Sequence, residues 1–363
     1  MVRLDTRFLL TKDLKMNIEV GIKRKASVLL PVALVFLLSF GDRVYAQNKV
    51  VVIPMFTESE LGLASGSSLT NLITVSKSGG DYDSISEALD SISDAGPKNP
   101  YLVYVGPGEY AIDSALRLPG HVSLVGAGIG STIVEGKNLN NSGAACGRSL
   151  VLVEGDFSAI RNISLRNSSG TTGTSPYGGI CSDQPINSIT LDSVDLLVSA
   201  PGFNVIGVES AAATLYIVDS KIVVTGNTAK GLFSYISSGL KMWNSEVRVT
   251  GTAKESTIVV DSQNDSDLEI RDSEVVTNGT LFKIDAFGVS SQFDRKVFGS
   301  YLVGEVLLAG QVSTSTPNPN LKWVEVFNSV LELATPDAFS KICINTSSTR
   351  VELSSDCVVP SPD

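Results

Sequence analysis

Residues 268–279 read LEIRDSEVVTNG, and the phrase returns as LYIVDSKIVVTG at 215–226, as LKMWNSEVRVTG at 240–251 and, more loosely, as VEVFNSVLELAT at 324–335. In each copy apolar residues alternate with polar ones, a small polar pair interrupts, and alternation resumes. Period-two alternation is the mark of a strand with one buried face, and Asp, Asn and Ser suit a tight corner. Taking the second apolar position of each phrase, Leu165, Leu191, Ile217, Met242, Ile270, Val297 and Val326 lie 26, 26, 25, 28, 27 and 29 residues apart. Upstream of most of these markers runs a third apolar stretch: 151–153, 205–208, 232–235, 257–260 and 281–284.

A unit of about 25 residues carrying three short strands cannot bury its own inner face, whereas stacked copies can. The expected fold is therefore all-β, a right-handed parallel β-helix. Val105 with Tyr110 and Leu124 with Ile129 fit the rule as two earlier coils, giving about nine. Stacking would place Asp192, Asp219, Asn244, Asp272, Gly299 and Asn328 along one edge. There they serve as corner punctuation, with a calcium or sugar ladder as the alternative. An open first coil exposes strand edges, and DSISEALDSI at 83–92 answers it. Ile85, Ala88, Leu89 and Ile92 follow helical spacing, and Ser84 with Glu87 forms a capping box.

The N-terminus reads as an export signal. Lys23, Arg24 and Lys25 precede the apolar run from Val28 to Phe40, and Val44-Tyr45-Ala46 supplies a cleavage site before Gln47. Met16 is an alternative start. The run is shorter than the roughly 20 residues a membrane span requires. The expected layout is a signal peptide over 1–46, a linker or strand-like segment over 47–70, the β-helix over 71–333, and a C-terminal cap and tail over 334–363. The product would be secreted or periplasmic. Residues 1–46 hold eight of the 28 Lys+Arg and four of the 38 Asp+Glu, so cleavage leaves 20 against 34, a net charge of −14. A surface so acidic argues against nucleic acid and anionic membrane as partners.

Four cysteines in an exported chain suggest disulfides, Cys146 with Cys181 and Cys343 with Cys357 by proximity, among three connectivities. Zinc is disfavoured because no CxxC spacing occurs and His121, in PGHVS, is the only histidine. VGAGIG at 125–130 follows a strand but opens no helix, so it does not read as a dinucleotide loop.

The phrases ITVSKSGGDYDSISEALDSI, YLVYVGPGEY, VSLVGAGIGSTIVEG and VLVEGDFSAIRNISLRNSSG, within 73–170, resemble the front half of the pectinesterases, carbohydrate esterases built on a right-handed parallel β-helix of the pectin-lyase-like type. Roughly a quarter of the chain matches closely. The resemblance implies an Asp nucleophile, a second Asp as acid and base, glutamines holding the oxyanion, and an Arg-Trp pair. Laid on the coil markers, the first glutamine falls at Gly178, the Gln-Asp pair at Val205 and Ile206, and the nucleophile at Leu232. None of these can ionise or donate from a side chain, and two carboxylates with polarised donors are what the chemistry needs.

The expected function is thus an exported, non-catalytic β-helix protein that binds a polysaccharide or cell-surface glycan, or serves a structural role. The alternative is a polysaccharide esterase or lyase with a divergent site. Tyr235, Trp243, Trp323 and Phe327 are the candidate sugar-binding aromatics, with Phe298 beside them. No cofactor motif is present. Asp261, Asp265, Asp267 and Glu269, near Arg271, are the candidate calcium residues, against a solvated acidic turn.

Overall fold

A computed structural model describes residues 71–137, 139, 146, 148–168, 177–234, 239–263, 267–285, 295–309, 324–334 and 347–348. The signal-peptide and linker expectations, together with Tyr235, Asp265, Trp323, Cys343 and Cys357, lie outside these residues.

One coil serves for all. Strand Gly239–Trp243 meets a corner at Asn244 and Ser245, strand Glu246–Gly251 follows, and after a short 3-10 turn the strand Ile258–Gln263 closes the circuit. Each strand pairs in parallel with its counterpart in the next coil. The result is the right-handed parallel β-helix expected. Eight complete three-strand coils occur among the described residues, slightly fewer than nine, with partial coils at both ends.

Three inward ladders form the core. On the first sheet Val103, Leu124, Ile160, Leu191, Ile217, Met242, Ile270, Val297 and Val326 stand in register. On the second, Tyr110, Val134, Leu165, Leu196, Ile222, Val247, Val275, Leu302 and Leu331 do so. On the third, the ladder is Val151, Ile180, Val208, Leu232, Val260 and Phe282. All are buried.

This register corrects the sequence reading of the front coils. Leu165 belongs to the second ladder, and the residue equivalent to Leu191 is Ile160. The partner of Leu124 is Val103, not Val105, and Ile129 is 49% exposed instead of inward. The stretch from Gly126 to Ser131 is a loop between Val122–Gly126 and Thr132–Lys137, so the inward residue after Leu124 is Val134.

Helix α1 (Ile85–Asp90) forms as predicted. The Ser84 hydroxyl accepts the Glu87 N–H at 3.4 Å, and Ile85, Ala88 and Leu89 are buried against the first strands. It covers the edge that the first coil would otherwise expose.

The corner between the first and second sheets explains the recurring phrase. Asn162, Ser193, Asp219, Asn244, Asp272, Gly299 and Asn328 all adopt the left-handed conformation, with φ between 47° and 57°. Asn and Asp tolerate it and Gly adopts it without strain. Asp192 is displaced from the expected column by one residue. Ser193 makes the turn, and Asp192 faces Arg161, which is only 2% exposed, at 3.6 Å. The serine after the corner is the structural half of the phrase. Ser220, Ser245, Ser273, Ser300 and Ser329 each donate a hydroxyl hydrogen to the carbonyl two residues back, at 2.6–2.7 Å. Each hydroxyl oxygen also accepts a backbone N–H from the preceding coil, at 3.0–3.2 Å. Buried corner amides with no strand partner are thereby satisfied, at about 1 kcal/mol net per bond.

Candidate functional site

The corner ladder carries an open groove of about 500 Å³, lined by Asp219, Lys221, Asn244, Glu246, Asp272, Glu274 and Tyr301 with the corner serines between them. Ile129 stands at one end, so the glycine-rich VGAGIG segment, where Gly130 takes a φ of 75°, supplies an apolar wall. Within the groove the Asn244 amide donates to Asp219 Oδ1 at 2.5 Å. Lys221 pairs with Glu246 at 2.9 Å, and Arg248 binds both Glu246 and Glu274. Partial burial opposes the charge on Glu246, but hydrogen bonds from Lys221 and Arg248 outweigh it and hold the carboxyl below its usual range. The Tyr301 phenol is pushed up by its hydrogen bond to Glu332 and stays neutral.

Just before the corner, the outward positions of the first sheet form a planar column. Trp243, Arg271, Phe298 and Phe327 follow one another in register on successive coils. Phe298 and Phe327 stack with centroids 5.0 Å apart, Arg271 lies 4.6 Å above Phe298, and Trp243 lies 6.3 Å from Tyr216. Lys241 stands 5.8 Å from the Tyr216 ring. Parallel-strand stacking repeats flat groups at the inter-strand spacing of about 4.8 Å, so Phe298 and Phe327 cover one another's faces, Arg271 lies over Phe298, and the column presents ring edges beside the polar trough. Trp243 is half-buried and Phe327 buried. Of the four predicted aromatics, the structure brings Trp243 and Phe327 into one column. It adds Arg271, which no aromatic search would return.

The third sheet holds the second cluster. Cys181, Glu209, Phe233, Asp261 and Lys283 occupy one column on consecutive coils. Asp261 is completely buried, with Lys230 Nζ at 2.6 Å and Lys283 Nζ at 3.8 Å, and Lys230 also stands 3.7 Å over the Phe233 ring. Glu209 is buried two coils away. At the first position of the column, Cys181 forms a disulfide with Cys146, as expected. Gly178, Val205, Ile206 and Leu232, where the resemblance laid the catalytic residues, lie on these same strands. Gly178 pairs with Ile206, and Val205 and Leu232 are buried. Glu209, Lys230 and Lys283 were missed by motif reading. Their only signal is a charge inside the mostly apolar stretches at 205–209, 229–233 and 281–284.

The described calcium candidates, Asp261, Asp267 and Glu269, are not gathered together. Asp261 belongs to the lysine cluster, while Asp267 and Glu269 open the next first-sheet strand, where Glu269 is bound by Arg271. Among the described residues no three His, Cys, Asp or Glu side chains converge as a metal site requires. His121 is a corner residue at φ 58°, its N–H donating to the Asp156 carbonyl and its ring 5.5 Å from Phe157. No described helix is long and apolar enough to cross a membrane. A further cavity of about 40 Å³, between Leu215, Leu240, Leu268 and the hydroxyls of Ser210, Ser234 and Ser262, has room for a few waters and none for a sugar.

The fold and clusters define a parallel β-helix with a grooved corner and a charged third face. No protein-family model matches the chain, and no curated protein does. Among solved structures it is similar to the rice weevil pectin methyl esterase, with 14% identity, covering 81% of this chain and 94% of that one, at a TM-score of 0.48. It is also similar to the pectin methylesterase PemA of Erwinia chrysanthemi, at 10% identity, 80% and 92% coverage, and a TM-score of 0.48. The pectin methylesterase of Aspergillus niger gives 13% identity, 82% and 93% coverage, and a TM-score of 0.49. The likeness is one of fold, which the strand register establishes independently.

Proposed function

We propose that this chain is an exported glycan-binding β-helix without catalytic activity. The observation that carries the reading is the Trp243–Arg271–Phe298–Phe327 column running beside an open polar groove. Sugars present apolar C–H faces that pack on the half-buried Trp243 and the edge of Phe298, and hydroxyls that seek the carboxylates and amides of such a trough. The apolar side chains at Val205, Ile206 and Leu232 support the absence of esterase chemistry, since none can serve as nucleophile, acid or base. The disulfide and the export-like N-terminus support a location outside the cytoplasm.

The test is binding of the purified chain to a panel of soluble polysaccharides, with methanol release and new unsaturated ends measured in the same samples. Binding without turnover, weakened about tenfold or more by Trp243→Ala, is the expected result, in line with the weight aromatic anchors carry at interfaces. Turnover would overturn the non-catalytic reading, and absence of binding across the panel would leave a structural role.

A second reading, a polysaccharide esterase or lyase with a divergent site, has one observation in its favour. The buried charges Glu209, Lys230, Asp261 and Lys283 lie on the strands to which the resemblance assigns catalysis. Turnover abolished by Asp261→Asn in a folded protein would establish it.

A further inference from the structure

We propose that the corner groove selects uncharged glycans and rejects polyuronates; this rests on the glycan-binding reading and specifies the polymer. Four carboxylates, Asp219, Glu246, Asp272 and Glu274, line the groove, against one lining cation, Lys221. The cations at hand are already committed, Lys221 to Glu246, Arg248 to Glu246 and Glu274, and Arg271 of the adjoining column to Glu269. Asp219 is held by the neutral amide of Asn244, and Asp272 Oδ1 occupies the space that a side chain at Gly299 would need. Among the described residues no cation comes within ion-pair distance of either aspartate. The groove therefore presents a row of acceptors along one edge, two of them unneutralised aspartates at alternate corners.

A polymer with a carboxylate on each sugar, running along this edge, would meet like charge at Asp219 and again at Asp272. An uncharged polymer meets the same oxygens as strong acceptors for its hydroxyl hydrogens, since bonds to an ionised acceptor are stronger than neutral ones. Net charge acts in the same direction. The full chain carries −10, so approach of a polyanion is disfavoured before any contact forms. The third-sheet lysines do not offset this, because Lys230 and Lys283 both face Asp261.

The experiment compares neutral glucomannan and neutral arabinan with polygalacturonate, by calorimetry or affinity electrophoresis, in EDTA so that no divalent ion bridges the carboxylates. At least one neutral polymer should bind about tenfold or more tightly than polygalacturonate at low ionic strength. The gap should narrow as salt is raised, because exposed charges are screened over about 8 Å at physiological ionic strength. The double variant Asp219→Asn, Asp272→Asn should raise the ratio of polygalacturonate to neutral-polymer affinity several-fold. It should fold, since Asn already occupies this column at positions 244 and 328, and circular dichroism checks that it does. Polygalacturonate binding more tightly than both neutral polymers, or a ratio unmoved in the folded double variant, overturns the selection while leaving glycan binding standing. Failure of every polymer to bind removes both.

Discussion

Substituting Ser245 by alanine tests the account of the corner at its centre. The Ser245 hydroxyl is buried. It donates to the Trp243 carbonyl at 2.7 Å and accepts the Ser220 N–H at 3.1 Å. Removing the oxygen affects these two partners unequally. The Trp243 carbonyl still receives the Asp219 N–H at 3.2 Å, so it keeps a donor. The Ser220 N–H, whose bond to Ser245 is buried beneath the groove, loses its acceptor. An orphaned buried amide costs about 1–3 kcal/mol, and the small gain from burying a methyl offsets little of it. We expect about 2 kcal/mol, concentrated locally. Repeat arrays open in parts, so the assay is native-state hydrogen exchange and not global melting alone. Protection of the Ser220 amide should fall about 30-fold, each factor of ten corresponding to about 1.4 kcal/mol. Protection in the first two coils should be unchanged. Ser220→Ala should act in the same way one coil earlier, on the Val194 amide, which the Ser220 hydroxyl accepts at 3.0 Å. If Ser245→Ala left exchange at residue 220 unaltered, the serine ladder would be a by-product of turn chemistry, and the corner would owe its stability to its left-handed residues.

Three other outcomes follow from the same structure. Reducing the Cys146–Cys181 bridge, or Cys181→Ser, releases a loop of sequence separation 35. Loop-closure entropy gives an upper value of about 4 kcal/mol, so the urea midpoint should drop clearly and proteolysis should begin between residues 146 and 181. Asp261→Ala leaves Lys230 and Lys283 without their shared carboxylate. Because both ammoniums are about one-third exposed and can hydrate, the cost should fall near the low end for a broken buried pair, about 3 kcal/mol in urea unfolding. Glu246, whose carboxyl is held low by Lys221 and Arg248, contributes stability that is complete above its unfolded value and lost as pH falls through the folded one. Acid titration of unfolding should therefore show a steeper loss in the native chain than in Glu246→Gln.

The repeat was legible because a coil forces residues in three inward columns to be apolar, and the DS and NS pairs recur at a corner whose length is constant from Ile160 onward. From Ile217 to Ile222 and from Met242 to Val247 that corner spans five residues. The front coils misled for the same reason. Ile160 and Leu165 are also five apart, and both point inward. The interval from 165 to 191 imitates the period of 26, while the true step from Ile160 to Leu191 is 31 residues, because inserted loops stretch the early coils. Periodicity detects that columns exist, but when two columns are equally apolar it cannot tell which one a residue occupies.

Outward columns follow a different rule, and this separates fold from function in the chain. Nothing in stacking requires Trp243, Arg271, Phe298 and Phe327 to resemble one another, or Glu209, Phe233, Asp261 and Lys283 to combine. Neighbourhood between them is created by a register some 22–29 residues long that no local motif encodes. Trp243 and Phe327 could be singled out one at a time as aromatics on an outward phase, whereas Arg271 became part of their surface only once the strands were paired. The apolar ladders therefore hold the scaffold constant while each outward position varies almost independently. An outward position such as Ile206 can change without disturbing the coil, whereas Val205 and Leu232 are part of the core itself. A groove lined by Asp219, Asn244 and Asp272 meanwhile arises from residues already selected for their tolerance of the left-handed turn.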